Sequence, residues 1–98
     1  LVGHELAQAI GERGRFIDAR GTVRDWWSAS DAAAADAFAA RVATQYNAYP
    51  VPGVAGMRVN GTLTRDQNVA DLLGVELAWA AYSAAQPAAE KPSRQAFY

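Results

Sequence analysis

The 98-residue sequence has no cysteine, one histidine (His4) and one methionine. It also lacks any apolar run near the ~18 to 20 residues that a membrane span needs. The missing sulfur excludes disulfide frameworks, cysteine-based fingers, iron–sulfur clusters and cysteine nucleophiles. A zinc site draws at least three ligands from Cys, His, Asp and Glu. One imidazole and no thiolate cannot make the usual His- or Cys-rich shell. An excess of charge of one sign is missing too, with 9 basic against 10 acidic residues. A nucleic-acid binder needs a basic surplus or stripe to neutralise phosphates. Arg13, Arg15, Arg20 and Arg24 do cluster, but Glu12, Asp18 and Asp25 interleave with them, which reads as a solvated, mixed-charge hairpin. No basic-then-apolar leader opens the chain. These absences predict a soluble chain with neither a nucleic-acid partner nor a membrane span.

What is present favours helices. Alanine makes up about a quarter of the sequence, which strengthens helices and thins the core they can build. A chain of this length buries roughly 60 to 65% of its unfolded surface, enough for one modest core. Residues 2–10 read as the end of a helix, stopped by Gly11 and Gly14. Residues 15–27 read as a two-stranded hairpin around Asp18-Ala19-Arg20-Gly21, with Trp26 and Trp27 as core and hairpin anchors. Ser28 or Ser30 is placed to cap a helix over 31–49, whose apolar face is Phe38, Val42, Tyr46 and Tyr49. Pro50, Pro52, Gly53 and Gly56 then make a loop, and residues 57–63 form a short extended piece. Thr64 is placed to cap a second long helix to about residue 85, buried along Val69, Leu72, Leu73, Leu77, Ala80 and Ala84. Residues 86–93 read as a linker. Both chain ends read as cut, and apolar surface is expected at each.

The chemistry sits in two helical segments. Gly3-His4-Glu5-Leu6-Ala7-Gln8 is one substitution away from H-E-x-x-H, which sets two imidazoles one helical turn apart with a glutamate as general base. Alone, a His-Glu pair has little specificity. In the second segment, Asp66-Gln67-Asn68-Val69-Ala70-Asp71 puts Gln67 and Asp71 on one face, like a third ligand followed by a supporting carboxylate. Between them lie Gly14-Arg15, Asp25-Trp26-Trp27 and Val59-Asn60-Gly61.

These pieces, in this order, resemble the neprilysin/endothelin-converting enzyme family of zinc metallopeptidases. The family pattern runs G-H-E-[apolar]-x-H, then G-R, D-W-W, V-N-G or L-N-G, and G-E-N-I-A-D. The 63-residue interval from His4 to Gln67 fits it without a gap. The likeness spans nearly the whole chain, out to Arg94-Gln95-Ala96-Phe97-Tyr98, which is similar to the family's R-x-F-F.

Carried over position by position, the resemblance implies that His4 is the first metal ligand and Glu5 the water-activating general base. It makes Asp71 the carboxylate that orients His4. The second zinc histidine falls at Gln8 and the glutamate ligand at Gln67, so two of three ligands have become neutral amides. An amide oxygen is a weak donor to zinc. The family uses zinc, and no cofactor is expected for this chain. Its segments that grip substrate before the zinc helix, and stabilise the transition state after it, do not occur here.

The expected architecture is mainly α with a small β-hairpin: a zincin-like catalytic-lobe fragment over 1–98, its zinc-motif helix packed on the second long helix. The expected function is that of a catalytically inactive pseudopeptidase. The alternatives are an active zinc metalloendopeptidase only partly represented by this chain, and a small helical module that binds a peptide or protein. A peptide or protein partner, or a homodimer through the apolar ends, completes the expectation. Family members are often extracytoplasmic. The simplest structural alternative makes His4 and Asp71 an ordinary buried pair tying two helices. Asn60-Gly61-Thr62 matches a glycosylation sequon, idle in the bacterial source that the Ala- and Arg-rich composition suggests.

Overall fold

The computed structural model describes residues 1–87 and 93. Three α-helices follow one another: α1 (Val2–Gln8), α2 (Ala29–Asn47) and α3 (Arg65–Ala85), with a 3-10 turn at Gly14–Phe16 between the first two. Seven residues are too few for a helix to persist alone in water, so α1 depends on what it packs against. Its main neighbour is α3, which α2 contacts less extensively.

Small residues carry these contacts. Among the described residues the buried apolar side chains are Ala7, Val42, Ala43 and Ala70, with Gly61 and Gly74 buried beside them. The stripe expected along α3 is therefore corrected. Val69 and Leu73 are half-buried, whereas Leu72, Leu77, Ala80 and Ala84 are exposed. Close packing runs through Ala70 and Gly74, because only side chains of that size let two helix backbones approach; the leucines stand at the rim. On α2, Val42 is buried and Phe38 and Tyr46 half-buried, but Tyr49 is exposed. The radius of gyration of 16.5 Å exceeds the ~13 Å of a compact domain of about 100 residues. Leu1, Val2, Leu6 and Ile10 leave an apolar stripe exposed at the start of the chain.

The hairpin expected over 15–27 is reduced to one antiparallel bridge, Ile17 with Val23. Asp18 is the reason. Its Oδ1 accepts the backbone N–H groups of Arg20 (2.9 Å) and Thr22 (3.0 Å), and its Oδ2 accepts from Arg24 Nε at 2.7 Å. A side chain that takes backbone donors in this way competes with a ladder, and an isolated hairpin is marginal to begin with. Trp26 is exposed and Trp27 half-buried, packed edge to face at 5.9 Å between ring centroids; neither is core.

Ser28, not Ser30, caps α2, its Oγ accepting from the Asp31 N–H at 3.1 Å. Thr64 precedes α3 but makes no side-chain cap. Its hydroxyl instead donates to the Asn60 carbonyl and accepts from Asn68 Nδ2. The Pro/Gly loop is closed by a second bridge, Pro50 with Arg58, and Arg58 Nη1 donates to the Ala48 carbonyl at the end of α2, 2.6 Å away. Most of the expected linker over 86–93, and all of 94–98, fall outside the described residues.

Candidate functional site

The site is built where α1 and α3 touch backbone to backbone. A Cβ added at Gly74 would lie 2.6 Å from the His4 amide nitrogen, and one added at Gly3 would strike the Gly74 carbonyl. Residues four apart share a helix face, so α1 presents His4 with Gln8 and α3 presents Gln67 with Asp71.

These four side chains form a directed chain of hydrogen bonds. The His4 Nδ1 lies 2.6 Å from Asp71 Oδ1. An ionised carboxylate only accepts, so Nδ1 carries the proton and the neutral ring presents a bare lone pair at Nε2. Gln8 Nε2 lies 3.0 Å from that Nε2 and donates to it. The same amide nitrogen donates a second, longer bond of 3.4 Å to Gln67 Oε1. With the ring in its neutral, Nδ1-protonated form, the Gln8 amide meets Nε2 through its nitrogen; turned over, its oxygen would face the imidazole lone pair. The His4 side chain is 18% exposed and that of Asp71 65%, so this is not a buried pair. Glu5 is exposed and its side chain takes no part in the chain of bonds.

At the family's three ligand positions stand one imidazole and two neutral amides, a weak donor set for zinc. The one lone pair suited to a borderline-soft dication, His4 Nε2, is occupied by an amide N–H, and the two neighbouring positions offer only neutral amides. Among the described residues no group of three or more His, Cys, Asp or Glu side chains comes together as a metal cluster.

Gln8 and Gln67 also line a cleft of about 770 Å³ whose walls include Arg15, Trp27, Phe38 and Leu73. The interval motifs serve to frame it. Arg15 reaches from the 3-10 turn to α2, with Nη1 2.9 Å from Asp36 Oδ1. Its guanidinium lies 4.9 Å from the Phe16 ring centroid and 6.0 Å from that of Trp27. The solvated reading of the arginine cluster thus fails for Arg15, whose side chain is only 19% exposed. Gly61 fits against the α2 backbone where a side chain would strike the Ala43 carbonyl, and its N–H donates to Asn47 Oδ1 at 2.7 Å. This contact sets the start of α3. One tie had no sequence signal. Arg65, at the start of α3, pairs with Glu12 after α1 and with Asp66. The Glu12 hydrogen bond, then that of Asp66, raises the Arg65 pKa and holds the guanidinium charged.

The sequence profile described as peptidase family M13 matches residues 1–97. Neprilysin-11 of Caenorhabditis elegans is 37% identical over 84% of this chain and 10% of its own length. Endothelin-converting enzyme 1 of Rattus norvegicus is 39% identical over the same shares. The crystal structure of the Mycobacterium tuberculosis zinc metalloprotease Zmp1 in complex with an inhibitor superimposes with a TM-score of 0.71. The two share 28% identity over 89% of this chain and 14% of that one. The chain thus spans about a tenth of the length of the curated relatives it matches.

Proposed function

The chain belongs to peptidase family M13, and from that premise we propose that it is a catalytically inactive, metal-free member domain, a pseudopeptidase. The observation that carries this reading is the Gln8 amide nitrogen 3.0 Å from His4 Nε2, donating to the atom through which His4 would otherwise bind a metal. Gln67 supplies a second neutral amide where the family pattern has a glutamate. With His4 so engaged, Glu5 has no activated water to deprotonate. Asp71 keeps its orienting bond to His4 although the ion it would serve is lost. The open cleft beside Gln8 and Gln67 supports a residual role in holding a peptide without cutting it.

Two measurements test this. Metal analysis of the purified chain should find no stoichiometric zinc, and peptide substrates of the relatives should not be hydrolysed; zinc retained in a His4-dependent way would sink the reading. The double variant Gln8→His with Gln67→Glu should gain measurable zinc affinity, because the helix geometry persists while donors are restored. A double variant that binds no more zinc than the parent would show that these positions are not the family's ligand positions.

A further inference from the structure

We propose that Gln8 and Gln67 form an amide bridge that replaces a metal ion as the tie between α1 and α3, and are not two separate losses of ligands. The inference rests on the metal-free reading above and deepens it. A ligand simply lost at position 8 would leave the His4 Nε2 lone pair to solvent. Instead, one amide nitrogen spends one hydrogen on His4 and the other on Gln67 Oε1.

The polarity of the chain of bonds is consistent from end to end. Both residues on α1 donate across to α3, His4 to Asp71 and Gln8 to Gln67, and Gln8 also donates to His4 along its own helix. A glutamine at position 8 can serve both acceptors because its amide nitrogen carries two hydrogens. A glutamate there has no N–H, and an asparagine is one methylene shorter. At position 67 the bridge needs only an acceptor. A metal ion would gather ligands from both helices at one point; the bridge ties the same side chains of the same two helices, beside the Gly3–Gly74 contact, with no ion.

The test uses the full chain, thermal unfolding with and without zinc or EDTA, and nitrogen-15 NMR of His4. The parent Tm should not move with zinc or EDTA. Gln8→Met should lower Tm by at least about 2 °C, the shift from one modest hydrogen bond in a domain of this size. It should also move the His4 Nε2 resonance to that of an unbonded imidazole nitrogen, with the Nδ1 proton retained. Gln67→Met should also lower Tm, and the double variant should fall by less than the sum of the two, since either change alone breaks the Gln8–Gln67 bond. Gln67→Glu keeps the acceptor but sets a like charge one turn from Asp71, so it should cost less than Gln67→Met without metal, which keeps the test decisive should Gln8→Met fail to fold. Additive effects, an unmoved Nε2 resonance, or Gln67→Glu as harmful as Gln67→Met would overturn the bridge. Loss of parent stability in EDTA would instead overturn the metal-free reading on which it rests.

Discussion

Gly74 of α3 lies directly against the backbone of His4 in α1, closely enough that a methyl group would sit 2.6 Å from the His4 amide nitrogen. The contact is backbone on both sides, so neither partner can yield by a change of rotamer. Gly74→Ala should therefore push α1 off α3 and destabilise the chain by about 1 to 3 kcal/mol, the usual range for overpacking a tight site. Denaturant unfolding measures this directly. An alanine at Gly74 that left the midpoint unchanged or raised it, through better helix propensity, would show that the two helices do not meet this closely in solution.

The bond between His4 and Asp71 dictates a tautomer. With Asp71 accepting at 2.6 Å, the neutral imidazole of His4 should be protonated at Nδ1, the less common form for a free histidine side chain. Asp71→Ala should release the ring to the Nε2-protonated form, and Asp71→Asn, whose Oδ1 still accepts, should retain most of the Nδ1 form. Nitrogen-15 shifts of the single histidine report this without overlap. The stability cost of Asp71→Ala should stay near or below about 1 kcal/mol, since Asp71 is mostly exposed and solvent screens its charge. An unchanged tautomer ratio in Asp71→Ala would remove Asp71 as the orienting group.

Asp18 gives a pH-dependent element that the geometry defines. The Thr22 N–H first, then the Arg24 guanidinium, hold its carboxyl below the ordinary carboxylate pKa. A depressed folded-state pKa adds stability that is fully present above the unfolded value of about 3.9. That stability disappears as pH falls through the lowered folded-state value. The amide protons of Arg20 and Thr22 should accordingly keep their bonded shifts at pH 5 and lose them together on acidification below 4. In Asp18→Asn the acid-driven change should be absent. Loss of the bonded shifts well above pH 4 would contradict the arrangement.

Much of this was legible in the sequence, for reasons that differ by element. Ser28 and Asp31 announced the start of α2, and the alanine-rich runs its persistence, because capping and propensity are local properties. The partnership of the His4 and Gln67 segments was legible only through the order and spacing of separated motifs; periodicity within α1 or α3 does not say which face meets which. The core departs from the apolar pattern for a physical reason. Apolar spacing marks Leu72 and Leu77 as buried, but the closest contact belongs to Ala70 and Gly74, and small residues carry no hydrophobic signal that a pattern can weigh. The hairpin is shorter than the pattern suggests: cross-strand bonds from Asp18 N–H to the Thr22 carbonyl and from Arg24 N–H to the Phe16 carbonyl flank the Ile17–Val23 bridge, and Asp18 Oδ1 takes the Thr22 N–H that would have extended the pairing. Glu12 and Arg65, far apart in sequence, are joined only by the packing of α1 on α3.

Asn47 and Gly61 supply the last test, because they set where α3 begins and therefore where Gln67 and Asp71 stand. The Gly61 N–H is part-buried and its acceptor is Asn47 Oδ1, at 2.7 Å. Removing the acceptor leaves a covered donor unsatisfied, a loss of about 1 to 3 kcal/mol. Asn47→Ala should thus destabilise the chain by that amount, whereas Asn47→Asp, which keeps an oxygen in place, should recover most of it. The two variants share the loss of the amide NH₂, so their difference reads the bond to Gly61 less the cost of a carboxylate at the C-terminus of α2. Because this tie lies before α3, Asn47→Ala should also perturb the His4 ring resonances although Asn47 does not touch His4. If unfolding curves of the two variants coincide, or the His4 signals stay fixed in Asn47→Ala, then the Asn60-Gly61 turn does not hold the α3 half of the site in register.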